Sequence, residues 1–429
     1  MKLLNSSTHD VIGGCGEAYK AFHKLTNQFR VVKKINKHSG YDSIKIDKLN
    51  QKLIYEAKLI AAMDHPNIVK VYEIFQDEDQ VAIVLEYVEG KDLHQNLRNP
   101  LFDSNEAIAT IIEQVLSGIV YLHMKGVTHK DIKAENIVLE EANPFSNLKL
   151  IDFGFSEIKH RQDTHNNAGT ISYTAPEVLM RGNDKKCDLW CTGVLLYQLA
   201  FKELPFKGSS PSEIRDQIMT KDLNELFESP KARSKDPLLI NLLRKLIARD
   251  LKKRYSAEEA LNDPFIQKYA RKPEIEPSDF EIFKVYQKKT VMELVLSSVF
   301  VHNLMSREEK SNFVRIFRAL DTKRRGFLSS DDFQTVDLSS NQEAVKAEIS
   351  QKVQKGQLAL TNMIISCVDL NNKDIIRKLF TYLDLDEDLF IDLEDVYNVL
   401  EKYIDKNVLK EIKSQLRNLN KKQVMENFL

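Results

Sequence analysis

HKDIKAENIVL (129–139), followed at 148–155 by LKLIDFGF, is the stretch that decides the fold. Four of its polar residues are of the types that phosphoryl transfer would need. That reaction needs a phosphate cradle, a cation on the phosphates, metal ligands and a group that orients the attacking hydroxyl. Asp131 can accept the proton of a hydroxyl. Lys133 can neutralise charge on a transferring phosphoryl group. Asn136 and Asp152 offer the hard oxygen atoms that magnesium prefers. Gly154 lets the backbone turn sharply after Asp152.

Upstream, Gly13, Gly14 and Gly16 sit in VIGGCGEAYKAF (11–22), a glycine-rich turn between strand-like stretches. Missing side chains let backbone N–H groups approach phosphate oxygens, although ordinary hairpins use the same residues. FRVVKKI (29–35) is β-branched and compact and carries Lys33. Residues 45–63 are expected to be helical and bring Glu56, the natural ion-pair partner of Lys33. VAIVLEYV (81–88) reads as a buried strand. From about 104 onward helices dominate, at 104–124, 187–201, 211–220 and 236–249.

These segments together resemble the eukaryotic protein kinase family over about residues 10–268. The resemblance implies an α+β fold with two lobes, a strand-rich one of about 1–87 and a helical one of about 88–268. It implies ATP and magnesium as cofactors, with Asp131 and Lys133 catalytic and Asn136 and Asp152 holding the metal. Gly13 and Gly16 match the second and third glycines of the nucleotide loop, and Val11 stands at its first. Lys33 matches the phosphate-binding lysine and Glu56 its partner. Leu85 matches the residue before the hinge, Glu86–Val88, so Glu86 and Val88 join the ATP-binding set, as do Gly14 and Asp92. Glu177, in the Ala175-Pro176-Glu177 triplet, is expected to pair with Arg254. Asp188 and Trp190 match the anchoring helix.

Lys133, together with Thr170 in the GT before that triplet, resembles serine/threonine rather than tyrosine kinases. Asp92 and Glu135 fall where basophilic kinases place acids that receive a substrate arginine; two solvated acids would read the same. Three departures stand out. Val11 replaces a glycine. Lys130 replaces the arginine that usually grips a phosphate on the activation loop, and a lysine lacks the bidentate fork. Asn166 occupies the usual acceptor position, with Thr164 nearby. Together they point away from loop phosphorylation as the switch.

RKPEIEPSD (271–279) reads as a linker, after which the chain is helical to its end. FKVYQKKTVMELVLSSVFVHNLM (283–305) is expected to form an amphipathic helix, either a core helix or an inhibitory junction. The pattern resembles calcium-dependent protein kinases, which fuse a kinase to a calmodulin-like domain, with SREE (306–309) opening the first EF-hand helix. That implies a linker and junction over 269–305 and an all-α domain over 306–429.

An EF-hand loop needs oxygens at positions 1, 3, 5 and 12 and a glycine at 6. Asp321–Asp332 keeps Gly326 and Leu328 but puts Lys323 and Arg325 at positions 3 and 5, where cations repel calcium. Residues 351–362 keep Gly356 and Leu358 without a carboxylate. In the loop 384–395, Asp384, Asp386, Asp388, Asp392 and Asp395 form a calcium set. Leu389 replaces its glycine and Asp395 is shorter than the usual glutamate; an acidic helix–helix loop is the other reading. Residues 418–429 lack acids.

With 62 Lys and Arg against 63 Asp and Glu, the formal net charge is -1. This balance gives no reason to expect a nucleic-acid or membrane-surface protein. The start, MKLLNSSTHD, is not a secretory signal, Lys2 excludes N-myristoylation, and no uninterrupted apolar run is long enough to span a bilayer. Cys15, Cys187, Cys191 and Cys367 lack disulfide or zinc spacing and fit a reducing, cytoplasmic compartment. The expected partners are protein substrates bearing serine or threonine and the chain's own tail against its kinase domain. The expected activity is that of a calcium-regulated serine/threonine kinase; a kinase with a calcium-insensitive tail and a silent scaffold are the rivals.

Overall fold

The protein is represented by a computed structural model that describes residues 2–3, 17–24, 26–36, 54, 57–77, 80–152, 171–286, 289–334, 350, 353 and 357–383. It divides into two compact units. One comprises Met1–Phe22, Phe29–Lys272 and Lys323–Gly326; the other comprises His23–Gln28, Pro273–Thr322 and Phe327–Leu429.

The first unit begins with a five-stranded antiparallel sheet. Its strands are β1 (Lys2–Leu3), β2 (Glu17–His23), β3 (Gln28–Asn36), β4 (Val71–Gln76) and β5 (Gln80–Glu86), in the spatial order β1-β2-β3-β5-β4. β-branched residues favour this pleated surface. Lys33 of β3 lies opposite Ile83 of β5, and Arg30 opposite Glu86. Ile35, Val71, Val81 and Ile83 close one core with Ile60 and Met63. Residues 57–61 are helical, as expected for the end of the 45–63 segment.

The helical part of this unit is built on α1 (Asn105–Met124) and α2 (Cys187–Phe201), with α3 (Pro211–Thr220) and α4 (Pro237–Leu246) around them. The Oγ of Ser104 accepts the Ala107 N–H and starts α1. Proline at the first helical position of α3 and α4 follows a capping Ser210 or Asp236, where its missing N–H costs nothing. By length and composition α1 could cross a membrane, yet its side chains are buried within this unit. A hairpin of β6 (Ile137–Leu139) and β7 (Leu148–Leu150) lies at its edge. Gly90 passes so close to this hairpin that a Cβ there would stand 1.8 Å from the Leu139 carbonyl oxygen, so only glycine fits.

The second unit corrects one expectation. Residues 283–305 do not form one helix. A 3-10 helix over Pro277–Val285 ends first, and α5 (Val291–Val299) starts afresh at Thr290 and runs on as a π-helical turn, Phe300–Leu304. Thr290 and Glu293 form a reciprocal capping box, a strong start signal inside what had read as a continuous pattern. The apolar residues Leu296, Val299 and Phe300 are spent on this unit's own core with Phe317 and Met363.

Next come α6 (Arg307–Leu320), α7 (Leu360–Cys367) and α8 (Lys373–Leu383). Ser306 and Glu309 cap α6 reciprocally, as SREE suggested. Between them β8 (Phe327–Leu328) pairs antiparallel with β9 (Leu358–Ala359), placing Leu328 opposite Leu358. Each leucine is eighth in its twelve-residue loop, so the two loops without a full acid set still pair symmetrically. Gly326, sixth in the first loop, has φ 75°, the left-handed conformation that calls for glycine there.

Candidate active site

The loop between α1 and β6 carries Asp131, Lys133 and Asn136. Its backbone is bent by Lys130, which takes a left-handed φ of 65°. Such a conformation persists only where the surroundings hold it. Asp188, fully buried at the start of α2, supplies that hold. Its carboxylate accepts the N–H of His129 at 2.9 Å and of Lys130 at 2.7 Å. It also lies 2.9 Å from His123 Nε2. The His129 ring is buried, and its Nδ1 accepts the Asp131 N–H at 3.3 Å.

Asp131 is thus fixed at its backbone, and its side chain is fixed too. Asn136 Nδ2 donates to the Asp131 carbonyl at 2.7 Å and to its Oδ2 at 2.8 Å. Lys133 Nζ stands 3.1 Å from Asp131 Oδ1. The short 3-10 turn Ala134–Asn136 feeds β6, and the Ile151 N–H donates to the Asn136 carbonyl at 2.9 Å. That bond joins the loop to the end of β7, where Asp152 also adopts a left-handed φ of 65°.

Lys33 reaches Asp152 from β3 in a nearly buried ion pair with Asp152 Oδ1. Glu56 lies outside the described residues, so the described partner of Lys33 is Asp152. Beside this pair is a small apolar cavity of about 20 Å³, lined by Ile60, Val71, Ile83 and Leu85 among others. Glu86 ends β5 and Val88 follows it. Val11, Gly13, Gly14 and Gly16 are outside the described residues, as are Thr164, Asn166 and Thr170.

The metal set fits its ion on chemistry. Asn136 directs its amide nitrogen to Asp131, which leaves its amide oxygen as a donor, and Asp152 follows two residues after the neighbouring strand β7. Two hard oxygens tied together through the Ile151–Asn136 bond suit magnesium. Among the described residues no cluster of three His, Cys, Asp or Glu could hold a metal. Cys187 and Cys191 are core thiols. Burial, aided by the Asp188 charge, pushes both upward, and Cys191 Sγ donates to the Tyr173 carbonyl. The five acids of 384–395 are outside the described residues.

The remaining expected residues divide. Arg254 grips Glu177 bidentately, at 2.6 Å and 3.0 Å, with the arginine 1% exposed. Asp92 caps the helix Leu93–Asn96 and accepts the Gln95 N–H at 2.8 Å. Glu135 keeps its carboxylate about half exposed, 3.6 Å from His94 Nδ1. Of the two acids matched to arginine recognition, Glu135 is the one presented outward. Lys149, in the middle of buried β7, was passed over by sequence reasoning. It pairs with Glu86 at 3.2 Å. A lysine inside the apolar run LKLI was the signal.

A family model described as "Protein kinase domain" matches residues 12–266. The chain is 30% identical over 395 residues to "Calcium-dependent protein kinase 6" of Plasmodium berghei (strain Anka), covering 90% of this chain and 26% of that protein. It is 27% identical to "Calcium-dependent protein kinase 5" of Plasmodium falciparum (isolate 3D7), covering 94% of this chain and 73% of the relative. This chain therefore spans about a quarter of the first relative and about three quarters of the second. Among solved structures, "Rad53 1-466 in complex with AMP-PNP" superposes with a TM-score of 0.50 at 27% identity. The match covers 61% of this chain and 64% of that one.

Proposed function

Because the chain belongs to the protein kinase family, we propose that it transfers the γ-phosphoryl group of ATP to serine or threonine hydroxyls of protein substrates, and that calcium regulates this activity. The observation that carries the reading is the fixed triad of Asp131, Lys133 and Asn136 beside the Lys33–Asp152 pair. Asp131 orients the substrate hydroxyl and takes its proton. Lys133, already beside that carboxylate, lowers the charge around the transferring group. Lys33 positions the phosphates. Magnesium, held by Asn136 and Asp152, would supply charge neutralisation on the phosphate oxygens. Glu135 is the acid that selects a substrate arginine, by charge-assisted hydrogen bonding.

The calcium part rests on the likeness to the calcium-dependent protein kinases and on the acids Asp384, Asp386, Asp388, Asp392 and Asp395. It includes contact between the tail and the kinase part, with residues 269–305 as junction, and a cytoplasmic location. A calcium-insensitive tail draws on Lys323 and Arg325, which occupy ligand positions in the first loop. One experiment separates these readings. Phosphorylation of an arginine-containing peptide is followed with calcium and with chelator, in the wild-type chain, Asp152→Ala and Asp384→Ala. We expect turnover that rises with calcium, is lost in Asp152→Ala and loses its calcium response in Asp384→Ala. An active Asp152→Ala chain sinks the catalytic assignment, and equal rates in calcium and chelator sink the regulatory one.

A further inference from the structure

The hinge residue Glu86 is held by more than its strand. Its Oε2 accepts the Lys70 N–H at 3.2 Å and lies 3.2 Å from Lys149 Nζ. Lys149 is 8% exposed and Glu86 25% exposed at the side chain, so the pair is largely shielded from water. Burial pulls the Lys149 ammonium down, but the nearby carboxylates of Glu86 and Glu140 outweigh it and hold the group above its ordinary range. Lys149 is therefore a cation throughout the physiological range. Tyr72 is pushed up to about 12 by burial and by the Glu86 charge, with Arg30 stacked 4.0 Å over its ring.

The position of Lys149 in the chain gives this pair its meaning. Lys149 precedes Asp152 by three residues on β7 and its exit. The strand is pinned at its end, where the Leu150 N–H donates to the Asn67 carbonyl at 2.8 Å and the Val69 N–H to the Leu150 carbonyl at 3.0 Å. One end of the nucleotide cleft, the hinge, is thereby tied through a buried charge pair to the strand that presents the phosphate end. A like-sized neutral side chain would fill the same space but would not fix the hinge by charge.

We propose that Lys149 is a positioning residue for nucleotide binding. It anchors Glu86, and so sets the hinge backbone that meets the adenine ring at a fixed distance from Asp152. This inference rests on the kinase reading above and deepens it. Lys149 does not touch the reacting atoms.

The test uses the full chain and AMP-PNP, with affinity measured by calorimetry and stability by thermal unfolding, for wild type, Lys149→Met and the double variant Lys149→Met/Glu86→Gln. Removing one member of a buried pair leaves the other uncompensated, whereas neutralising both largely restores stability. We expect Lys149→Met to bind AMP-PNP roughly tenfold more weakly, since small displacements of positioning groups are costly. In turnover, KM for ATP should rise while KM for the peptide stays put. The double variant should recover its melting temperature and keep the weak binding, and if Lys149→Met fails to fold, the double variant alone decides. Wild-type affinity in the double variant, or in Lys149→Met, overturns the inference: the pair is then merely structural. A wild-type chain that fails to bind AMP-PNP overturns the nucleotide reading itself, and this inference with it.

Discussion

Asp131 shows how much of a proposed catalytic position is made by its neighbours. Asn136 and Lys133 each hold one of its carboxylate oxygens, and the His129 ring accepts its backbone N–H. Replacing it with asparagine keeps the shape and removes the base. We expect Asp131→Asn to lower kcat by about 10²–10⁴ with little change in KM for ATP, read by initial rates over a nucleotide series. Arg254 tests stability at the same scale. Its guanidinium satisfies Glu177 bidentately and also donates to the Lys186 and Ala248 carbonyls. Arg254→Met leaves buried Glu177 without its partner, and urea unfolding should register a loss of about 3–5 kcal/mol. Arg254→Lys should recover only part of it, because an ammonium lacks the planar fork.

Residues of this kind are legible in the sequence. HKDIKAEN and DFG suggest their tasks by local spacing, and the bond between Asn136 and Asp131 spans only a few residues. The Glu177–Arg254 pair was legible only through the family resemblance. The Lys33–Asp152 and Lys149–Glu86 pairs were not legible at all. Each joins strands far apart in sequence, and no periodicity tells which charges will meet once the sheet and hairpin have formed. Asp92 shows a use the sequence reading did not include: its carboxylate caps the helix Leu93–Asn96.

At the scale of elements, caps decided what apolar periodicity could not. The stretch 283–305 carries a helical pattern, yet Thr290 and Glu293 restart the helix at 291. Ser306 and Glu309 do the same for α6, and SREE announced it. Ser306→Ala should cost about 1 kcal/mol of stability in denaturant unfolding. The 3-10 helix Pro277–Val285 is tied to α6 by Asp279, which accepts both terminal nitrogens of Arg315. Burial pushes the Asp279 carboxyl up, but the hydrogen bond from Arg315, the backbone hydrogen bond at Glu276 and the Arg315 charge together outweigh it and leave the group below its ordinary value. The folded state therefore binds this proton less readily than the unfolded chain. The stabilisation is complete above the ordinary aspartate range, near pH 4, and fades as pH falls through the folded value. In Asp279→Asn the acid limb of a stability-against-pH curve should be shallower, and stability near pH 7 should be lower.

For the whole molecule, the described residues give two units with separate apolar cores, and the second unit buries the apolar face of α5 in its own. An element spent in that way cannot leave without exposing Leu296, Val299 and Phe300 to water, at about 1.5–3 kcal/mol for each large side chain. Calcium, if it moves the tail, would therefore move α5 together with its unit rather than peel it away. Hydrogen exchange of the peptide covering 291–304 should stay equally protected with calcium and with chelator. Rising exchange on calcium addition would contradict this.

The buried thiols of α2 have a practical consequence. Cys187 and Cys191 lie buried in the core of the first unit, and their environment keeps them protonated. A thiol-specific alkylating reagent can reach them only when that core opens. Their rate of modification therefore counts opening events, and peptide mapping separates them from Cys15 and Cys367. The chain thus carries a built-in clock for the breathing of its own catalytic scaffold, and nucleotide binding should slow it.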